Sequence, residues 1–411
     1  MIEIFNIENF ASFRDMQTLS LTAEKLRSNY SSLDTDNLVV FDKNDQILKS
    51  KVIYGANASG KSNVVKALQC FVNVVCDENL DLIQAFKFSS ETINKPSTFE
   101  VVLKVDKIKY RFGFTASKDK IFKEWLYFTP HKREQFLYER QDNEIVDYNK
   151  VFFTEAEDYA NRKNANIDDK ILILTQLSYH NQSRIAEDIV ETIKKMVFVY
   201  HKDMEQWFVE AKNKIQDIDI KRFVLQLLNK SGSQIEDIYI DNNFQLNFND
   251  VVNKNGVVMA RHNFFDEVNG KIGAANWEFY TNQSDGERLI FAIAPILYDA
   301  IIGDKIVIFD SLDVFLHPLY MQNIIRLFNS KKNKKAQIIT TTYNTLFLHL
   351  NIMRRDQIDF IDKNYRSESK ITTLYRIKGV RANHPFHQDY IDGNYGCVPP
   401  ETDFFDVEIE Y

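Results

Sequence analysis

Eight consecutive residues have the types and the spacing that bind a chain of phosphates. From position 55 they read Gly-Ala-Asn-Ala-Ser-Gly-Lys-Ser. The glycines let the backbone turn so that successive N–H groups point at phosphate oxygens, the lysine reaches the outer phosphates, and the last serine is a magnesium ligand. The pattern predicts that a nucleotide contacts Gly55, Ala56, Asn57, Ala58, Ser59, Gly60, Lys61, Ser62 and Asn63.

The segments on either side of this loop are those that such a motif requires. Residues 51–54, Lys-Val-Ile-Tyr, predict a strand, and residues 63–68, Asn-Val-Val-Lys-Ala-Leu, predict a helix. A phosphate-binding loop works where a strand enters it and a helix leaves it, because the helix N-terminus adds further N–H donors. The alternative is a strand-to-helix turn that binds nothing.

A second strand ends in a carboxylate. Residues 305–309, Lys-Ile-Val-Ile-Phe, predict a buried strand, and Asp310 follows it directly. An aspartate at that position can hold Mg²⁺ through its water shell beside Ser62. The alternative for Asp310 is a polar residue that only ends the strand.

Ser284 and Gly286 stand before the apolar segment 289–294, which predicts a helix. A serine and unpaired backbone N–H groups at a helix start can cap the helix, and they can also bind an anion. The sequence leaves an ordinary helix cap and an anion site equally open.

Composition restricts the class of protein. The chain has 411 residues, of which 44% are hydrophobic, so it can bury a substantial core. A net charge of −7 excludes a global basic footprint for nucleic acid, although a local DNA-binding groove stays possible. Cys70, Cys76 and Cys397 lack metal-ligand spacing. The first five residues lack a basic leader and the longest apolar stretch, 289–302, contains Asp299, so we expect a cytoplasmic protein without membrane contact.

The pattern of elements predicts an α/β fold. Residues 2–7, 99–105 and 110–114 predict strands of a β-rich first lobe, whereas helical periodicity with many charges begins near Ser183. Apolar strands and helices then alternate again, which predicts a mostly parallel, covered sheet. The expected division is an N-terminal lobe with the phosphate loop at 1–182, a helical insertion or lid at 183–233 and a C-terminal lobe at 234–411.

Four further motifs follow the phosphate loop in order. They are Gln-Ser-Asp-Gly-Glu-Arg at 283–288, Val-Ile-Phe-Asp at 307–310, Leu-His-Pro at 316–318 and Gln-Ile-Ile-Thr-Thr-Thr-Tyr at 337–343. This arrangement resembles the ABC-type P-loop ATPase heads of the SMC and RecF group: signature, second Walker motif, D-loop and switch strand. Residues 7–14, 353–358 and the Gly-x-Tyr-Gly-x-x-Pro tail at 390–399 are similar to the AAA-type, RecF-like ATPases of bacterial abortive-infection and restriction-linked operons.

The resemblance implies particular ligands and partners. It implies bound ATP and Mg²⁺ and a homodimer or higher homo-oligomer, in which Ser284 and Gly286 complete the nucleotide pocket of the opposing subunit. It further implies a contact of Arg14 near the base or ribose, for which a surface role is the alternative, and a magnesium-sensing glutamine, for which Gln84 is the candidate. A separately encoded, nuclease-like effector is the expected partner protein.

Two positions depart from the family pattern. Where the family has a glutamate after the magnesium aspartate as general base, this chain has Ser311, and where it has a switch histidine, this chain has Tyr343. A serine cannot take a proton near neutral pH, and loss of a general base costs about 10²–10⁴ in rate. Asp313, or Glu287 of a partner subunit, is the alternative base. The binding residues are intact, so we expect ATP binding with slow or impaired hydrolysis.

The expected function is a nucleotide-gated sensor or scaffold in bacterial antiphage defence that acts on a separate effector. Two alternatives stay open. One is an active DNA-repair ATPase related to RecF, and the other is a non-catalytic interaction protein whose phosphate loop is vestigial.

Overall fold

The computed structural model describes residues 1–160, 167–180, 182–243, 252, 255–311, 313, 316–349, 351–380 and 384–399. In chain order the strands are β1 (Ile2–Glu8), β2 (Gln17–Ser20), β3 (Leu38–Asp42), β4 (Asp45–Leu48), β5 (Ser50–Tyr54), β6 (Ser97–Val105), β7 (Ile108–Ala116), β8 (Ile121–Thr129), β9 (Gln135–Gln141), β10 (Glu144–Tyr148), β11 (Met196–Tyr200), β12 (Ile235–Asp241), β13 (Val257–Asp266), β14 (Gly270–Glu278), β15 (Ile306–Asp310), β16 (Gln337–Thr341), β17 (Ile358–Lys363) and β18 (Ser369–Thr373).

The α-helices are α1 (Leu33–Asp36), α2 (Lys61–Asp77), α3 (Glu157–Ala160), α4 (Ile173–Tyr179), α5 (Arg184–Lys194), α6 (Met204–Lys214), α7 (Ile218–Lys230), α8 (Phe279–Asn282), α9 (Asp285–Gly303), α10 (Pro318–Phe328) and α11 (Phe386–Ile391). No helix among the described residues is both long and apolar enough to span a membrane.

The first lobe is built on an antiparallel sheet of seven strands, in the order β10-β9-β8-β7-β6-β1-β2. Buried and half-buried residues alternate along β1, where Phe5 and Ile7 are buried and Asn6 between them is half-buried. Helix α2 packs on the buried face, where the ring of Phe71 contacts those of Phe112 and Phe114. The β-rich first lobe is confirmed.

The second sheet carries the phosphate loop. Its order is β11-β15-β16-β5-β17-β18, and every neighbouring pair is parallel except β17 with β18. Its strands are apolar on both faces: Ile53 and Ile308 belong to the core shared with the first sheet and α2, whereas Val52 and Val307 belong to the core on the opposite side. The mostly parallel sheet is therefore confirmed.

A buried ion pair ties the loop-bearing strand to its neighbour. Lys51 Nζ on β5 lies 2.9 Å from Asp359 Oδ1 on β17, and both side chains are fully buried. Burial raises the pKa of Asp359, and the lysine charge opposes that rise. Removing either partner alone would leave the other charge buried and uncompensated.

The range 183–233 differs from the predicted helical insertion. Helices α5, α6 and α7 lie there, but Met196–Tyr200 between them forms β11, which pairs in parallel with β15 along its whole length. The range thus contains helices, as the pattern predicts, and it also contains an edge strand of the main sheet that the helical pattern does not predict. The segment reads Met-Val-Phe-Val-Tyr, and its β-branched and aromatic residues suit a strand at the sheet edge.

A third sheet was not predicted as a unit. Strand β12 pairs with the long hairpin of β13 and β14 rather than with the main sheet. The hairpin exposes several large apolar side chains, namely Phe264, Phe265, Val268, Ile272 and Trp277. It ends at Glu278, whose carboxylate accepts hydrogen bonds from the Tyr280 and Thr281 N–H groups at 2.8 and 2.6 Å.

Candidate functional site

The P-loop, residues 55–62, joins β5 to α2. Atoms of other residues lie so close to both of its glycines that a Cβ at either position would clash with them. A Cβ on Gly60, which has φ +113°, would lie 2.5 Å from Ser369 Oγ and 2.7 Å from Ser12 Oγ. A Cβ on Gly55 would lie 2.4 Å from Ser59 Oγ and 2.5 Å from the Ile361 carbonyl oxygen. Neither position accommodates a side chain without a shift of its surroundings.

Two serines that the motif analysis missed hold this loop from outside. Ser369 Oγ donates to the Ser59 carbonyl at 2.6 Å and forms a second hydrogen bond with Ser12 Oγ at 2.7 Å. Asn63, at the start of α2, donates from Nδ2 to Ser12 Oγ at 2.8 Å. Ser12 lies within the family-like opening segment, which was the available signal, whereas no sequence pattern marks Ser369.

Lys61 is buried and turned into its own loop. Its Nζ donates to the Gly55 carbonyl at 2.6 Å and to the Ala56 carbonyl at 2.9 Å. The same Nζ lies 3.9 Å from the centroid of the Tyr343 ring. Burial lowers the pKa of Lys61 to about 8, and the nearby carboxylates of Asp313 and Asp310 oppose that shift.

The structure brings two of the predicted magnesium residues, Ser62 and Asp310, together. Ser62 Oγ donates to Asp310 Oδ1 at 3.0 Å, and Thr341 Oγ1 donates to the same oxygen at 2.8 Å. Thr341 also accepts a hydrogen bond from the Ser311 N–H at 2.7 Å. Carboxylate and hydroxyl oxygens are the ligands that Mg²⁺ prefers.

Ser311 and Asp313 follow Asp310 in an irregular turn. Ser311 has φ +65°, which is a left-handed backbone conformation. Asp313 Oδ2 accepts hydrogen bonds from Thr342 Oγ1 at 3.0 Å and from the Tyr343 N–H at 2.6 Å. Asp313 Oδ1 is buried without a hydrogen-bond partner among the described residues. Asp313 therefore positions the end of β16.

Tyr343 closes the site from the switch strand. Its hydroxyl donates a hydrogen bond to Asn57 Oδ1 in the P-loop, while its ring covers Lys61. Burial and the charges of Asp313 and Asp310 raise the pKa of Tyr343, so the hydroxyl stays protonated and can donate. A tyrosine at this position thus contacts the phosphate loop directly.

Ser284 caps helix α9. Its Oγ accepts from the Glu287 N–H at 3.3 Å, and the Glu287 carboxylate accepts from the Ser284 N–H at 3.0 Å. This is a capping box, and it explains why a serine precedes an apolar helix. Ser284 is also exposed, so a second molecule can reach it, and Gly286 follows in the first turn.

The two remaining candidates lie apart from the Asp310 cluster. Arg14 forms ion pairs at 2.9 Å with both Glu91 and Glu368, which raise the pKa of its guanidinium. Gln84 is exposed, and its backbone carbonyl accepts a hydrogen bond from the Ala11 N–H at 2.7 Å. The residue that joins Ser62 at the Asp310 carboxylate is Thr341.

The C-terminal tail motif packs against the P-loop strand. The rings of Tyr54 on β5 and Tyr390 on α11 lie 5.4 Å apart, and Phe360 contacts both of them as well as Tyr395. Gly393 and Gly396 have φ values of +75° and +72°, which explains the glycines of the motif. The tail and Tyr343 line one open cleft beside the site.

The arrangement fits a magnesium-bound triphosphate. It offers a glycine-built cradle at a helix N-terminus, a lysine and a hydroxyl beside a carboxylate. No carboxylate occupies position 311, directly after Asp310. The described residues therefore include groups that can hold a magnesium-bound triphosphate, and the position after Asp310 carries a hydroxyl.

Comparison with protein families gives one match. The model of an AAA-domain family, whose description names the AbiEii toxin of type IV toxin–antitoxin systems, matches residues 52–348. That range includes the P-loop, the Ser284 segment, Asp310 and Tyr343. Among curated proteins, none matches the chain.

Among solved structures, three SMC head domains are similar to this chain. A Smc head bound to the C-winged helix domain of ScpA has a TM-score of 0.51 at 14% identity, over 91% of this chain and 98% of that chain. The SMC head of Thermotoga maritima has a TM-score of 0.44 at 14% identity, over 91% and 98%. A Smc head of Pyrococcus furiosus bound to the C-terminal domain of ScpA has a TM-score of 0.44 at 13% identity, over 91% of this chain and 96% of that chain. The first of these shows the fold of an ABC-type ATPase head.

Proposed function

The chain belongs to this AAA-domain family and has the fold of SMC-type ATPase heads, and from that premise we propose that it is a nucleotide-gated module that binds Mg-ATP and hydrolyses it slowly. The proposed role is a sensor or scaffold in bacterial antiphage defence that acts on a separately encoded effector. The family description, which names an abortive-infection toxin, supports that role.

One observation carries the proposal. Ser62, Asp310 and Thr341 form a hydrogen-bonded cluster at the P-loop, while the next position after Asp310 holds Ser311. The groups that hold phosphates and magnesium are thus assembled by residues far apart in sequence. A vestigial loop would have no reason to retain that cluster or the two crowded glycines.

Each side chain has a definite role in binding. Lys61 would exchange its loop carbonyls for phosphate oxygens, and the N–H groups at the start of α2 would donate to the same anion. Ser62 and Asp310 would hold Mg²⁺, which when bound neutralises charge on the phosphates. The hydrogen bond from the Tyr343 hydroxyl to Asn57 Oδ1 joins the switch strand to the P-loop, and it would limit the access of solvent to the bound phosphates.

The expectation of slow hydrolysis rests on the side chains of Ser311 and Asp313. A hydroxyl cannot act as a general base near neutral pH, and a missing base lowers the rate by about 10²–10⁴. Asp313 is the nearest substitute in sequence, but one of its oxygens already accepts two hydrogen bonds from the switch strand. ATP would then serve mainly as a ligand that shifts the protein between states.

Nucleotide is proposed to act by pairing two heads. Ser284 is exposed at the start of α9, where a P-loop of a second copy could contact it. A ligand held between two subunits stabilises the dimer by mass action. The effector would recognise the paired state, and DNA is a possible further partner through a local surface only.

The proposal is tested with the purified chain in three measurements: calorimetric titration with Mg-ATP, light scattering with and without ATP, and phosphate release. We expect binding, ATP-dependent dimers and turnover far below the usual enzyme range of about 1–10³ per second. Absence of binding would favour the non-catalytic interaction protein. Turnover that rises strongly with added DNA would favour an active repair ATPase.

The biological role needs a separate test in cells. The chain and its neighbouring genes should protect a bacterial host in a phage plaque assay, and Lys61→Ala should remove that protection. Unchanged plaque numbers in every combination of genes would contradict the defence role while leaving the nucleotide chemistry untouched.

A further inference from the structure

Strand β14 forms an exposed edge of the third sheet. The order of that sheet is β12-β13-β14, so among the described residues β14 pairs with β13 on one side and with no strand on the other. Every residue of the strand up to Trp277 is exposed except Ala275, which is half-buried. An edge strand presents a row of backbone N–H and C=O groups to which another strand can pair. Strand β14 is therefore a surface that can bind an extended segment.

The regular part of this edge is five residues long. A β-bulge interrupts the pairing of β14 with β13 between Phe264 and Phe265, so that Ile272 has no opposite residue. At the other end of the strand, Glu278 is buried. The exposed residues between these two points read Gly-Ala-Ala-Asn-Trp at 273–277, and we call them the open edge. The open edge has no charged residue and no proline, which are common means of protecting an edge strand from pairing.

The lysine of β14 points away from the open edge. Lys271 precedes the bulge, and its Nζ lies 2.7 Å from Glu236 Oε1 on β12. Strand β12 lies on the far side of β13 from the open edge, so this lysine reaches back across the sheet. A lysine that extended outwards would hinder an incoming strand. The ion pair therefore removes that hindrance.

The open edge has an empty position and a projecting ring at equal distances from its middle residue. Gly273 lies opposite the exposed Phe264 on β13, and a Cβ built on Gly273 meets no atom within 4 Å. Trp277 is 52% exposed. Ala275 lies two residues from each of them. If two copies pair in antiparallel fashion with Ala275 opposite Ala275, Trp277 of each copy lies opposite Gly273 of the other.

This register brings aromatic rings of the two copies together. Residues directly opposite each other in an antiparallel pair have their side chains on the same face. Phe264, Gly273 and Trp277 of a second copy would thus form one row across three strands, and the glycine has no side chain to separate the two rings. Twofold symmetry forms the contact twice. A glycine inside a strand is also typical of a place where another backbone approaches closely.

Charge and area indicate what kind of contact this is. Each copy has a net charge of −7, so two copies approach with least repulsion where the surface is uncharged. An aromatic side chain has about 150–250 Å² of surface, and the rings of Phe264 and Trp277 are about half exposed, so the four rings of a pair would bury about 400 Å². A stable interface buries about 1,200 Å² or more, which indicates that this contact is weak and reversible.

We propose that the open edge binds the open edge of a second copy of this chain, antiparallel about a twofold axis through Ala275, with Trp277 of each copy over Gly273 of the other. The contact joins two sheets of three strands into one of six. It needs no nucleotide and involves neither the P-loop nor Ser284, so it goes beyond the proposed ATP-dependent pairing of heads.

Cysteine cross-linking of the full chain without nucleotide tests the position of the axis. Opposite residues of an antiparallel pair have Cα atoms about 4.5–5.5 Å apart, which a disulfide can span. Ala275→Cys should therefore form a covalent dimer when diamide oxidises the two thiols. Ala274→Cys is the matched control, since its two copies would lie diagonally, about 7–8 Å apart, and should cross-link about tenfold more slowly. The wild type gives the background from Cys70, Cys76 and Cys397.

Equal cross-linking rates in the two variants would mean random collision and would overturn the proposal. A failure of Ala275→Cys to cross-link above the wild-type background would overturn it as well. Because nucleotide is absent throughout, neither result bears on the proposed function.

Charge variants give a second, independent test by analytical ultracentrifugation. The wild type should associate reversibly at high concentration, whereas Ala275→Lys and Ala275→Glu, which each place like charges face to face, should remain monomeric when measured alone. A mixture of the two variants should associate again, because an introduced lysine then lies opposite an introduced glutamate. Restored association also shows that both variants are folded. Trp277→Ala should weaken the wild-type association about tenfold, since both ring contacts are lost.

Three outcomes of sedimentation would overturn the proposal. They are a wild type that stays monomeric at every concentration, single charge variants that associate as the wild type does, and a mixture of folded variants that stays monomeric. The last outcome, together with an associating wild type, would mean that copies meet through a different surface.

Discussion

The centroid of the Tyr343 ring lies 3.9 Å from Nζ of Lys61. The ammonium is enclosed by that ring on one side and by the carbonyls of Gly55 and Ala56 on the other. Phosphate oxygens cannot approach Nζ from every direction until part of this enclosure opens. The switch strand and the P-loop are thus coupled before any ligand arrives.

Lys61→Ala should lower the affinity for Mg-ATP by about two orders of magnitude, because charge-assisted hydrogen bonds to the outer phosphates would be lost. Calorimetric titration measures the change. Lys66→Ala is the matched control, since Lys66 is an exposed lysine one turn further along α2. Equal affinities of the wild type and Lys61→Ala would mean that ATP, if it binds, does not use the P-loop.

ATP affinity should fall as the pH rises through about 8. Burial lowers the pKa of Lys61 to about 8, so the side chain is charged below that pH and increasingly neutral above it. Binding of the anion favours the charged form, so between pH 8 and 9 complex formation should take up protons. Titrations in buffers of different ionisation enthalpy measure that uptake. Lys61→Arg keeps its charge and should show neither effect.

Tyr343→Phe should speed nucleotide association about fivefold. The hydrogen bond from the Tyr343 hydroxyl to Asn57 is worth about 1 kcal/mol, and without it Tyr343 moves away from the P-loop more easily. The ring over Lys61 is retained in this variant. Stopped-flow fluorescence with a labelled nucleotide gives the rate. Asn57→Ala should have the same effect, and the double variant should add nothing further. Additive effects would show that the two groups act separately.

Ser311→Glu should raise phosphate release about 10²-fold by supplying a carboxylate beside Asp310. Position 311 already has φ +65°, and glutamate and serine both carry a Cβ there, so the exchange adds little backbone strain. Ser311→Gln has the same size without the base and is the control. A rate that rises equally in both variants would point to a change of structure rather than of chemistry.

Asp313→Asn separates positioning from proton transfer. An asparagine oxygen can still accept from Thr342 and the Tyr343 N–H, so the slow rate should stay within about twofold if Asp313 only positions the switch strand. Asp313→Ala should instead lower the melting temperature, since the Thr342 hydroxyl and the Tyr343 N–H lose their acceptor. Brisk wild-type turnover that collapses in Asp313→Asn would identify Asp313 as the base.

Ser284→Arg should remove ATP-dependent dimers and leave ATP binding by the monomer nearly unchanged, because Ser284 lies on an exposed helix start away from its own P-loop contacts. Light scattering with ATP measures dimerisation. Ile302→Arg, at the opposite end of α9, is the control and should dimerise normally. Dimers that persist in Ser284→Arg would contradict a head-to-tail arrangement.

The sequence predicts the elements that bear the site well, because the strands around it are short apolar runs and the loop is defined by glycines. Strands β5, β15 and β16 and helix α9 fall where their patterns place them. The proximity of the P-loop to Asp310 is predictable from these strands, since parallel strands bring their carboxyl ends to one edge of the sheet.

The missed features depend on long-range packing. Strand β11 lies within a segment of helical periodicity, and only its pairing with β15 makes it a strand. Removing 183–233 would therefore take away an edge of the main sheet, so the segment cannot be tested as a detachable lid. Ser369 lies in no motif, and the switch-strand motif that contains Thr341 does not single this residue out, so the importance of both comes from which atoms the fold places next to them.

The position of β5 has a consequence for how the protein is made. Strand β5 pairs with β16 on one side and with β17 on the other, and both are synthesised more than 280 residues later. A chain emerging from the ribosome therefore holds its P-loop strand without either neighbour until β16 and β17 have been synthesised. Pairings this distant in sequence form slowly. The nascent chain should thus bind nucleotide only after β5 has paired with both strands, so a chain that still lacks them should not respond to ATP.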